Sequence, residues 1–181
     1  AQSAGACAAV VAHPVADCDL PQLVLGDTRL ALGRIGAAWR ARFTLPVVAV
    51  AGSNGKTTTK EMVSVILAAW QGEENRLATA ANFNNDIGVP LTLLRLQSRH
   101  RAAVFELGMN HPGEIAYLAE MAAADVALVN PAQREHQEFM HSVEAVAREN
   151  GAAIAALPSD GVAVYPGDDD YTGVWDELAG A

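Results

Sequence analysis

Lysine is nearly missing from this chain: of its twelve basic residues ten are arginine, and the two lysines are Lys56 and Lys60, close together in one segment. Arginine-for-lysine exchange and heavy alanine use arise from genome composition alone, so the two surviving lysines mark that segment only mildly. Positive charge is scarce overall. The net charge is −9, and such a surface repels phosphate backbones, which argues against general nucleic-acid binding. A local phosphate site stays open, because a few backbone N–H groups and one lysine overrule the global field at short range. Cysteine is also scarce. Cys7 and Cys18 have no Cys or His partner at metal-ligand spacing, and they read as reduced, partly buried thiols rather than a disulfide. No apolar run reaches the roughly 18 residues a membrane span needs, and no basic segment precedes the apolar N-terminus. A cytoplasmic location is expected. At 181 residues, 51% hydrophobic and 18% charged, the chain suits one globular domain, or one domain and a piece of another.

What is present falls into two parts. Residues 1–45 open in an alanine-rich helical pattern and an apolar run over 8–12. Leu23, Val24 and Leu25 read as a short buried strand. Asp27 or Thr28 caps a helix through about Trp39, with Leu32, Ile35, Ala38 and Trp39 at helical spacing. Pro46 disfavours helix on either side, so a boundary is placed there. Residues 46–181 alternate strand and helix, the pattern of an α/β fold with a mainly parallel sheet. Strands are expected at 47–51, 77–80, 102–107, 126–130 and 162–165. Helices are expected at 56–70, with Met62, Ile66, Ala69 and Trp70 on one face, and at 87–96, 112–123 and 143–157, with an acidic and helical segment near 181. Both ends read as cut.

The chemistry centres on Gly52, Ser53, Asn54, Gly55, Lys56, Thr57 and Thr58. An apolar strand runs into this turn and the turn runs into a helix, which points several N–H groups at one spot beside the positive end of the helix dipole. Gly52 and Gly55 allow positive φ and close backbone approach, Lys56 reaches β- and γ-phosphates, and the Thr57 hydroxyl suits Mg²⁺. The common G-x-x-x-x-G-K-[ST] form needs glycine at position 50, where this chain has Val50; the pattern here is the shorter G-x-x-G-K-T-T. A glycine-rich turn that happens to hold a lysine is the bland reading, and the strand-before, helix-after context argues against it.

Three further segments recur with the loop in fixed order: Asn82-Phe83-Asn84-Asn85-Asp86-Ile87-Gly88-Val89-Pro90, then Phe105-Glu106-Leu107-Gly108-Met109-Asn110, then Ala127-Leu128-Val129-Asn130 followed by Glu135-His136-Gln137-Glu138-Phe139. Together they resemble the Mur ligase family, the ATP-dependent amide-bond enzymes of peptidoglycan synthesis. The likeness is greatest to the branch that joins D-alanyl-D-alanine to UDP-N-acetylmuramoyl-tripeptide. The resemblance covers residues 46–181 and is weaker before them. It implies that residues 1–45 end an N-terminal UDP-sugar domain and that residues 46–181 begin the central ATP-binding domain, with the remainder absent. It also implies ATP and Mg²⁺ as cofactors, a monomer, no nucleic-acid partner, and an acyl phosphate attacked by an amine. The isolated chain is expected to be an inactive fragment.

Each residue carries two readings. Glu106 ends a parallel strand, where ligand sites of open sheets gather, and a carboxylate there suits Mg²⁺; the alternative is a solvated strand-end glutamate. His136 is an ordinary loop histidine or, by the resemblance, a ligand of a second Mg²⁺ beside Glu135 and Glu138. Asn82, Asn84, Asn85 and Asp86 are turn and cap residues, and by the resemblance they also touch substrate, Asn82 foremost. The catalytic set expected is Lys56, Glu106 and His136, and the metal set Thr57, Glu106 and His136. Two features depart from the family. Many members carry a carbamylated lysine on the helix after the histidine loop, whereas residues 144–151 hold none and Asn150 stands in its place. Pro131 removes a backbone donor after Asn130. A kinase or other NTPase with the same loop, and a non-catalytic nucleotide-binding module, are the competing functions.

Overall fold

The computed structural model describes residues 2–133, 140 and 142–180. His136, with its neighbours Glu135 and Glu138, lies outside the described residues, as does His141. Two parallel sheets are present. The smaller pairs β1 (Ala9–Val11) with β2 (Gln22–Val24). The larger has five strands, β3 (Val47–Ala51), β4 (Arg76–Ala78), β5 (Ala102–Glu106), β6 (Val126–Val129) and β7 (Val162–Val164), in the order β4-β5-β3-β6-β7, all parallel. The helices are α1 (Thr28–Arg40), α2 (Lys56–Gln71), α3 (Gly88–Leu93), α4 (Glu114–Ala122), α5 (Val143–Ala155) and α6 (Thr172–Ala179). The α/β class and the strand sequence expected for residues 46–181 are thus observed, with ends differing by a few residues.

The chain leaves β3 in one direction for β4, then returns through β5 to β6 and β7 on the other side. Right-handed crossovers therefore put α2 on one face of the sheet and α3, α4 and α5 on the other. The side chains divide accordingly. Val47, Ala49, Phe105, Ala127 and Val129 join the large core with residues of α3, α4 and α5. Val50, Ala102 and Val104 form a small cluster with Leu67 of α2.

Several burial expectations are corrected. On α2 the inward row is Lys60, Ser64 and Leu67. Met62, Ile66 and Trp70, which share an apolar face, are 63%, 64% and 64% exposed. Apolar residues occur on both sides of this helix, so spacing alone could not choose the side that the loop geometry turns to the sheet. Leu23, Val24 and Leu25 are exposed rather than buried. The 3-10 turn Gln2–Ala4 replaces the helix expected at the start. Cys7 and Cys18 are free thiols, and Cys7 is exposed rather than partly buried.

On α1, capped by Asp27 Oδ1, the buried face is Ala31, Gly33, Gly36 and Arg40, while Ile35 is exposed. The glycines are contact points: a Cβ on Gly36 would sit 2.8 Å from Pro90 Cβ, and one on Gly33 2.0 Å from the Tyr117 hydroxyl. Arg40 then fastens the helix. Its guanidinium donates to the carbonyls of Ala122 (3.0 Å) and Ala123 (2.9 Å) at the end of α4, and to that of Phe43 (2.7 Å). Burial lowers the pKa of this group and nearby Asp125 offsets part of that, yet guanidinium stays protonated. Arg40→Ala should cost about 3 kcal/mol of stability, since three carbonyls lose a charged donor. A urea-unfolding comparison checks this; a loss well under 1 kcal/mol would show that Arg40 does not fasten α1.

Candidate phosphate-binding site

The register of the sheet assembles the site. Val50 lies opposite Glu106 on β5, and Ala51 opposite Val129 on β6, so residues 52, 106 and 130 share the C-terminal edge. This edge, beside the strand where the chain reverses direction, is where open α/β sheets bind ligands. All seven residues expected in the loop follow β3 directly, and α2 begins at Lys56. Gly52 and Gly55 have φ of +125° and +76°, as anticipated for a loop that folds back on itself. A side chain at Gly52 would also meet Asn130 Cβ at 2.6 Å, so the position excludes any larger residue on two counts.

Ser53, Asn54, Gly55, Lys56, Thr57, Thr58 and Glu106 line an open cavity of about 240 Å³. A cleft of about 570 Å³ lies elsewhere, lined by Arg40, Pro46, Asp125 and Asp160 near the opposite strand ends, so size does not select the site. Lys56 Nζ donates to the carbonyls of Gly52 (2.6 Å) and Ser53 (3.2 Å). The ammonium is thus held at the loop by neutral carbonyl acceptors, weaker partners than a phosphate oxygen.

Glu106 is 2% exposed and resolves its two readings against the solvated one. Its Oε1 accepts from Thr57 Oγ1 (3.2 Å) and Asn84 Nδ2 (2.9 Å), and its backbone N–H donates to Thr79 Oγ1 (3.0 Å). Its Oε2 is buried and has no hydrogen-bond partner among the described residues. A buried carboxylate oxygen without a donor lacks a positive partner. With the Thr57 hydroxyl, it forms a hard-oxygen donor set of the kind Mg²⁺ takes. Among the described residues, Thr57 and Glu106 are the oxygen pair at the loop that can receive a cation.

The asparagine segment divides. Asn84 reaches Glu106, as above. Asn85 Oδ1 accepts from the N–H groups of Ile87 (3.2 Å) and Gly88 (2.8 Å) and caps α3. Asp86 accepts from Arg29 of α1, at 2.8 Å to Nε and 2.5 Å to Nη2. Asn82 is exposed at the start of the loop. Thr58 is exposed on the first turn of α2.

Residues not included among the site candidates support the loop from behind. Asn130 Nδ2 donates to the Asn54 carbonyl (2.8 Å) and to Thr59 Oγ1 (3.1 Å). Gln133 donates its N–H to Ser53 Oγ (2.9 Å), and its side chain pairs with Asn54. Asn150 Oδ1 accepts the Gly52 N–H at 3.0 Å. Asn130 and Asn150 were visible only as members of a motif and as a departure from one; contacts spanning 76 and 98 positions leave no local signal.

Comparison with known proteins agrees with this geometry. Residues 50–180 match the Mur ligase middle domain. The UDP-N-acetylmuramoyl-tripeptide–D-alanyl-D-alanine ligase of Escherichia coli is 43% identical over the whole chain, which spans 39% of that relative. The crystal structure of MurF from Acinetobacter baumannii superposes with a TM-score of 0.91 at 39% identity, over 98% of this chain and 39% of that one. MurF ligase from Thermotoga maritima, solved in complex with ADP, gives 0.88 at 26% identity, over 98% of this chain and 41% of that one. The chain thus spans about two-fifths of the length of the relatives it matches.

Proposed function

This chain belongs to the Mur ligase family through its middle domain, and on that premise we propose that it carries the ATP-binding part of a longer enzyme that joins D-alanyl-D-alanine to UDP-N-acetylmuramoyl-tripeptide. Residues 1–45 are then the end of a UDP-sugar domain and residues 46–181 the start of the central domain. The enzyme works as a monomer in the cytoplasm. The observation that carries the reading is the convergence of Lys56, Thr57, Asn84 and Glu106 at one phosphate loop. The choice among amide ligases is supported by the names of the relatives at 43% and 42% identity.

In this reading the substrate carboxylate attacks the γ-phosphate of ATP, giving an acyl phosphate and ADP. The amine of D-alanyl-D-alanine then attacks the acyl carbon, and inorganic phosphate leaves. The chain's residues contribute charge and position. Lys56 exchanges its carbonyl partners for β- and γ-phosphate oxygens and stabilises the negative charge that builds during transfer. The loop amides fix the phosphate chain beside the helix N-terminus. Asn84 and Thr57 orient the Glu106 carboxylate. Thr57 and Glu106, and in the proposal also His136, would hold Mg²⁺, which when bound would supply charge neutralisation. Among the described residues α5 supplies no lysine for a second cation, and Asn150 faces Gly52 instead. Asn82, Asn85 and Asp86 are proposed to border the sugar-peptide.

The test uses the full-length enzyme. ATP-dependent phosphate release should require both UDP-N-acetylmuramoyl-tripeptide and D-alanyl-D-alanine, and mass spectrometry should find the pentapeptide product. Phosphate release that ignores D-alanyl-D-alanine would instead identify an NTPase. The 181 residues alone should bind nucleotide without forming the amide.

A further inference from the structure

Asn150 is the most enclosed polar side chain behind the phosphate loop, at 1% exposure on the inward side of α5. Only half of its amide is used. Oδ1 accepts the Gly52 N–H, while Nδ2 is buried and has no partner among the described residues. Gly52 is meanwhile held at three points. Its N–H is held by Asn150, its carbonyl by Lys56 Nζ, and its α-carbon is walled in by Asn130. The first peptide of the loop therefore has one orientation, and its N–H is withdrawn from any anion. The remaining amides and Lys56 must hold the phosphates.

An unpaired N–H₂ group in a buried site is costly, and an apolar residue of the same volume would avoid that cost. Resting on the nucleotide reading above, we propose that Asn150 is a positioning residue of the phosphate loop: Oδ1 takes the Gly52 N–H and locks that peptide, so that the following loop amides and Lys56 are left to meet the phosphates.

Asn150→Leu keeps the volume and removes both polar functions. In the 181-residue chain, calorimetric titration with Mg-ADP should show affinity falling about tenfold, the size of one or two lost hydrogen bonds. The thermal midpoint should move by a few degrees at most. Amide exchange at Gly52, followed by NMR, should become fast, a change that lost packing alone does not produce. Should the leucine variant fail to fold, Asn150→Ala is read in the same way. Wild-type affinity, or an unchanged Gly52 exchange rate, would overturn the proposal. Lys56→Ala in parallel separates the two readings. If it weakens binding while the Asn150 variants bind normally, only the role of Asn150 fails; if it too binds normally, the phosphate loop itself is misassigned.

Discussion

Lys56→Ala should reduce ATP turnover by the full-length enzyme by about a hundredfold to a thousandfold, the range seen when one preorganised charge-stabilising group is removed. Mg-ADP affinity should fall less, because ADP lacks the γ-phosphate on which the charge develops. The folded state should hardly notice. Among the described residues Lys56 Nζ bonds the carbonyls of Gly52 and Ser53, in a cavity open to solvent, and water can take over both acceptors. The pattern to look for is lost turnover with an unchanged urea-unfolding midpoint. A variant that keeps its turnover would show that this lysine does not meet the phosphates.

Glu106→Gln is the second large expectation, and its sign differs between function and stability. Glutamine keeps the shape and keeps an oxygen for Thr57 and Asn84, so the local network survives. What disappears is the charge on a carboxylate that is 2% exposed and has one oxygen unpaired. Without a cation that charge is uncompensated, so the unliganded variant should be as stable as the parent, or more stable by about 1 kcal/mol. The Mg²⁺ concentration needed for half-maximal ATP turnover should rise, and turnover at saturation should fall by about a hundredfold. Magnesium titrations at fixed ATP, run beside thermal melts, separate the two effects. Unaltered magnesium dependence would make Glu106 a structural residue.

The sequence revealed most where local chemistry decides the outcome. The all-apolar strand, the two glycines and the Lys-Thr step of residues 47–57 admit few structures, and the loop appears as expected. Ser142 caps α5 with its side chain, accepting the Ala145 N–H. Less was visible where a residue's environment comes from distant parts of the chain. Met62, Ile66 and Trp70 have the spacing of a buried face, yet α2 turns Lys60, Ser64 and Leu67 inward. The pairing of the Asp86 carboxylate with Arg29 from α1 is such a contact, set by how α1 seats its glycines on Pro90 and Tyr117. So is the hydrogen bond from Asn84 to the Glu106 carboxylate, which its place before a helix did not signal. The role of Asn150 depends on α5 passing behind β3, which nothing near residue 150 encodes.

The most direct test of the central claim, that residues 52–58 with Glu106 form a magnesium-nucleotide site, is an ADP titration of the 181-residue chain with and without Mg²⁺. The expected result is binding of one ADP per chain that weakens when Mg²⁺ is withheld and weakens also in Lys56→Ala. ADP binding equally strong without magnesium and in Lys56→Ala, or no binding under any condition, would contradict it.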